Sequence, residues 1–179
     1  MRLVISYLLL GGVLLVNSAC SPFSAYWYTY SAKPSLYGGD YSWYIAQEYN
    51  GVARYYLEHG NIIDKQNINS ADFFAQRAAL ANAGKTVTII QPAFDNQQLK
   101  ASPQQQQYIL SRYNSVEAAI IKYRENTKAL QHIAQMQAGF DCWLQEKVKK
   151  QPNLDIAAIC QANMEENLAI LATIDQYRE

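Results

Sequence analysis

The sequence predicts an all-α domain, and three observations carry that expectation. From Tyr41 onward apolar side chains recur every three or four residues in five successive stretches, a spacing that gathers them on one face of a helix. The stretches are bounded by residues that stop or start helices: His59-Gly60-Asn61, Gly84, Pro103, Asn126-Thr127 and Pro152-Asn153. The one run with strand-like composition, Thr86 to Ile90, is cut by Pro92 and followed by a Gln-rich connection, so it reads as a short extended piece.

Taken in order, Ile45, Tyr49, Val52 and Tyr56 predict a first helix over 41–59. Ser70 offers an N-cap before Ala71-Asp72, and Phe74, Ala78 and Ala81 then carry a second, antiparallel helix that Gly84 stops. Tyrosines with small residues, then Gly, then Ala-Asp-Phe-Phe-Ala, resemble one tetratricopeptide-type hairpin. Such arrays need about three repeats to stand alone, and no second copy follows, so a repeat protein is not expected. Ile109, Tyr113, Val116, Ile120 and Tyr123 predict a third helix over 104–125. Asn126 or Thr127 is positioned to cap a fourth, which carries Leu130, Ile133, Phe140 and Leu144 and runs to about Lys149, with lysines at its negative end. Asp155 begins a fifth whose inner face is Ala157, Cys160, Met164, Leu168 and Leu171. The short Pro152-Asn153 turn makes the last two helices an antiparallel hairpin.

The N-terminus reads as an address. Arg2 precedes an uncharged apolar run, Leu3 to Val16, which is too short for the ~20 residues of a membrane-spanning helix and suits the core of a secretory signal. Ser18 and Ala19 stand before Cys20, which resembles the lipobox of bacterial lipoproteins; Asn17 occupies the place where Leu is usual. That resemblance implies cleavage after residue 19 and lipid on Cys20. Ser21, rather than Asp, implies sorting to the outer membrane, with the chain facing the periplasm. The competing reading is an ordinary cleaved signal with an incidental cysteine. The expected organisation is therefore a signal over 1–19, an aromatic tether over 20–40 and a helical periplasmic domain over 41–179. Aromatic side chains with polar tips, such as Tyr26 and Trp27, suit a tether that lies on lipid, docks on a partner or folds back over its own helices.

With Cys20 committed to lipid, Cys142 and Cys160 remain, and an even pair in an exported protein suggests a bond between them. Cys142 lies about two turns before the end of the fourth helix and Cys160 about two turns into the fifth, at depths where antiparallel helices face each other. Two buried free thiols are the alternative. Zinc needs four ligands, and His59 and His132 have no matching Cys or His spacing, so no metal and no cofactor is expected.

Ala138-Gly139-Phe140-Asp141-Cys142-Trp143-Leu144, followed by Asp155-Ile156-Ala157-Ala158-Ile159-Cys160, resembles the paired-cysteine signature in the N-terminal helical region of many proteobacterial OmpA-family lipoproteins. The likeness implies the same helical hairpins and the same cysteine pairing. Ile159 is one residue more than the pattern has before its second cysteine. The family's peptidoglycan-binding domain is not expected, so cell-wall attachment is not carried over. Trp143 is expected to pack on the disulfide, and Asp141 to cap or pair locally.

Fifteen basic and fifteen acidic side chains in 179 residues leave no basic block to displace counterions, so nucleic acid is not an expected partner. No nucleophile elbow, phosphate-binding Gly-rich loop or His-Glu-x-x-His occurs, and catalysis is not expected. The leading expectation is a lipid-anchored envelope protein with a structural or protein-interaction role. The rivals are a small module binding peptide, glycan or lipid in a groove lined by Tyr44, Tyr55 or Tyr56, and an accessory subunit of a secretion system.

Overall fold

The computed structural model describes Thr29 and residues 39–59, 64–94 and 101–174. The signal over 1–19, Cys20 and nearly all of the 20–40 tether lie outside the described residues. Within them the fold is all-α: α1 (Tyr41–His59), α2 (Lys65–Asn82), α3 (Pro103–Tyr123), α4 (Leu130–Val148) and α5 (Leu154–Ile174), with no strand among them.

The first helix has the extent its periodicity predicts. Asp40 accepts the Trp43 amide at 2.8 Å and so satisfies one of the orphan N–H groups at its start. Ile45, Ala46, Tyr49, Ala53 and Tyr56 are buried, while Val52 is only half-buried. The second helix starts earlier than expected. Asp64 is its cap, accepting from the Gln66 amide at 2.8 Å, and Ser70 sits inside the helix with its hydroxyl donating to the Gln66 carbonyl. Back-bonding of this kind lets a serine satisfy itself mid-helix. The earlier start also places Asn67 where the Lys149 ammonium donates to it. At the other end Gly84 adopts φ 70°, with Gly84 N–H donating to Ala81 and Lys85 N–H to Leu80, a Schellman motif. Phe74 of α2 lies between Tyr49 and Tyr56, each ring centre 5.9 Å away, and Ala71, Ala75 and Ala78 keep the two helices close.

Residues 85–94 cross the bundle without joining a sheet, because their polar backbone groups are taken by side chains of α2 and α4. The third helix opens with a capping box, in which Ser102 and Gln105 bond reciprocally, and with Pro103 in its first turn. Asn126 does not cap the fourth helix. Its side chain accepts from Lys128 N–H in a preceding turn, and Ala129 heads α4 without a side-chain cap. Asn153 accepts the Asp155 and Ile156 amides at 3.1 Å and starts α5.

The fourth helix is the centre of the molecule, packed against α1, α3 and α5 and buried along most of its length. It approaches α5 closely for a definite reason: Gly139 has no Cβ, and one added there would lie 2.9 Å from both the Cys160 carbonyl oxygen and the Met164 nitrogen. One turn further on, Cys142 and Cys160 form the disulfide, with Cα atoms 5.7 Å apart.

Candidate functional site

Three polar side chains of α4 that one helix face cannot hide from water are buried: Gln137, Asp141 and Glu146. Buried polar groups persist only when hydrogen-bonded, and each of these is. Asp141 accepts from Tyr49 of α1, from Arg77 of α2 at 2.9 Å, and from the Ile90 amide at 2.8 Å. Gln137 donates to Tyr49 Oη at 2.8 Å and to the Val87 carbonyl at 3.0 Å, and accepts from Tyr41. Glu146 accepts from Tyr56, from Lys149, and from the Asn153 amide at 2.8 Å. The expectation of local pairing for Asp141 is therefore wrong. Its partners come from α1, α2 and the 85–94 crossing.

Burial pushes the Asp141 carboxyl up to about 6, against the opposing pull of Arg77 and the donors from Tyr49 and Ile90. Burial also raises the phenols of Tyr41, Tyr49 and Tyr56, with the neighbouring carboxylates adding to the effect. These groups hold α1, α2 and the crossing segment onto α4. Their polar atoms face one another rather than an opening.

The opening lies beside them. A cleft of about 220 Å³ runs between α1 and α5, with the disulfide and Gly139 of α4 at its base. The α1 wall is Glu48, Gly51, Val52 and Tyr55, and the α5 wall is Ile159 and Asn163. Ile159, on that wall, is 50% exposed. Burial raises the Glu48 carboxyl above its ordinary value, and a hydrogen bond from Gln135 partly counters this.

Of the three tyrosines expected to line an aromatic groove, the structure brings two to this cleft. Tyr55 stands on its wall and stacks on His59, ring centres 4.2 Å apart. Tyr56 borders it but is 1% exposed, with its hydroxyl committed to Glu146. Tyr44 does not line it and packs edge-on against Trp43 at 4.9 Å. The cleft is mixed in character rather than aromatic. Trp143, expected on the disulfide, packs between Phe140 and Tyr108 on the other side of α4.

Sequence reasoning missed Glu48, Asn163 and Ile159 as wall residues. A signal existed for Glu48, which falls between Ile45 and Val52 on the apolar face where a carboxylate is out of place. Among the described residues no three His, Cys, Asp or Glu side chains converge as a metal site requires, and no helix is long and apolar enough to cross a membrane. Comparisons of the chain with known protein families, curated proteins and solved structures find no match.

Proposed function

We propose that this chain is a lipid-anchored protein of the bacterial envelope whose helical domain binds another envelope protein through the α1–α5 cleft. The observation that carries the reading is the cleft itself: a concave surface with an exposed isoleucine, an accessible tyrosine wall and a half-buried carboxylate, all on rigid helices. The disulfide supports export, since such bonds persist in oxidising compartments. The short apolar run before Ser18-Ala19-Cys20 supports a signal and an N-terminal lipid, with Ser21 favouring the outer membrane. The likeness of 138–160 to the helical region of OmpA-family lipoproteins supports the same address.

A photo-crosslinker placed at Tyr55 or Ile159 in intact cells is expected to trap a discrete protein adduct, while one at the exposed Ala118 of α3 is not. Equal adducts from all three positions, or none from any, would overturn the reading. Fatty-acid labelling lost in Cys20→Ala tests the anchor separately.

A further inference from the structure

A second concavity, of about 190 Å³, lies on the opposite side of α4, between α3, α4 and α5. Its apolar wall is Ala101, Ile109 and Trp143, and its polar wall is Gln105, Tyr108, Lys147 and Gln161. The hydrogen bonds already made around it decide which polar atoms are left over. The capping box uses Gln105 Oε1 as the acceptor for Ser102 N–H at 2.9 Å, so the end of the amide left free is the Nε2 donor. Gln161 Nε2 donates to Tyr108 Oη at 3.0 Å, and Tyr108 donates to Glu165, which leaves Gln161 Oε1 as an acceptor. Glu165 in turn lies 3.0 Å from Arg112 Nε.

Lys147 is exposed and faces the Trp143 ring, its ammonium 5.6 Å from the ring centre, with no ion pair to a carboxylate among the described residues. Trp143 Nε1 is buried and has no acceptor among them. A buried donor without a partner is costly, and such groups are few in folded proteins. The wall thus offers a cation and an amide donor against one free acceptor, and the enclosed indole N–H just behind it reports on what the wall holds.

We infer that this pocket binds an acylated amino acid through its free carboxylate, as a free N-acyl amino acid or as the C-terminal residue of a peptide. The carboxylate meets Lys147 and the Gln105 amide, the ligand's own amide N–H donates to Gln161 Oε1, and an apolar side chain lies against Ala101, Ile109 and Trp143. A volume of 190 Å³ suits one residue and little more. The site is separate from the α1–α5 cleft and does not depend on the function proposed for it.

The test uses the full chain, ¹⁵N-labelled and held in detergent, with the Trp143 indole N–H signal assigned through Trp143→Phe. Titration with N-acetyl-leucine is expected to shift that signal saturably. N-acetyl-leucinamide, which lacks the carboxylate, is expected to bind at least tenfold more weakly, and Lys147→Gln, at an exposed position, to weaken N-acetyl-leucine binding by a similar factor. N-acetyl-alanyl-leucine binding at least tenfold more tightly than N-acetyl-leucine would identify a peptide C-terminus as the source, and equal binding would identify the free acylated amino acid. No saturable shift, or equal binding of acid and amide, overturns the inference.

Discussion

Replacing Gly139 by alanine should destabilise the chain, although alanine is the better helix former by about 1 kcal/mol. The added Cβ would sit 2.9 Å from the Cys160 carbonyl oxygen, 2.9 Å from the Met164 nitrogen and 3.3 Å from the Met164 Cα. All three are backbone atoms of α5, so no side-chain rotation relieves the contact and the helices must separate. The disulfide one turn away resists that movement. Overpacking of a tight interface costs about 1–3 kcal/mol, and this geometry belongs at the upper end, which leaves a net loss of about 2 kcal/mol. Gly51, exposed on α1 with nothing within 4 Å of where a Cβ would stand, is the control: Gly51→Ala should gain about 1 kcal/mol. The two variants should therefore differ by about 3 kcal/mol, or roughly 6–12 °C in Tm for a domain of this size. Thermal unfolding followed by circular dichroism, with the disulfide intact, reads the difference. If both variants raise Tm alike, the close approach of α4 and α5 is not as described.

Glu146→Gln should cost about 3–5 kcal/mol by urea unfolding, because it leaves the nearly buried Lys149 ammonium without a counter-charge. The Glu146→Gln/Lys149→Met double variant, which removes the charge but keeps an acceptor beside Tyr56 and the Asn153 amide, should recover most of that loss, and a single-variant loss below about 1 kcal/mol would show that the pair is solvated. Joining Cys142 to Cys160, 18 residues apart, restricts the unfolded chain, so reduction or Cys142→Ser/Cys160→Ser should lower stability by about 3 kcal/mol. An unchanged unfolding midpoint would refute this. Asp141 contributes a pH dependence of definite sign. Its folded value of about 6 lies above the ordinary 3.8, so the folded chain holds that proton more tightly than the unfolded one. The stability this proton adds is complete below about 3.8 and is lost as pH rises through about 6, amounting to about 3 kcal/mol between the limits. Arg77, Tyr49 and Tyr41 face the same carboxyl, so the contribution is read as the difference between wild type and Asp141→Asn across pH 4–7; identical pH profiles would contradict it.

The helices were largely legible because periodicity is local. Ile45, Tyr49 and Tyr56 mark the buried face of α1, and Ala157, Cys160, Met164 and Leu171 that of α5, without reference to any distant residue. The start of α2 was not, because Asp64 and Ser70 are both competent caps. The helix uses Asp64, and the extra turn this adds brings Asn67 to Lys149. The cleft was half legible. Tyr55 stands out in the sequence as an aromatic residue of α1, but Ile159 and Asn163 become wall residues only once α5 is laid beside α4 at the distance Gly139 permits.

The amino-acid sequence by itself determined the all-α class, the five helices found among the described residues and the pairing of the last two, because helix periodicity and turn residues act over a few positions and two cysteines flank one short bend. The tertiary structure alone decided the roles of the polar residues. Asp141 reads locally as a cap or a member of a local pair, yet it is buried because Tyr49, Arg77 and the Ile90 amide converge on it from distant parts of the chain. A carboxylate's burial depends on donors supplied by other elements, and no local pattern carries that information.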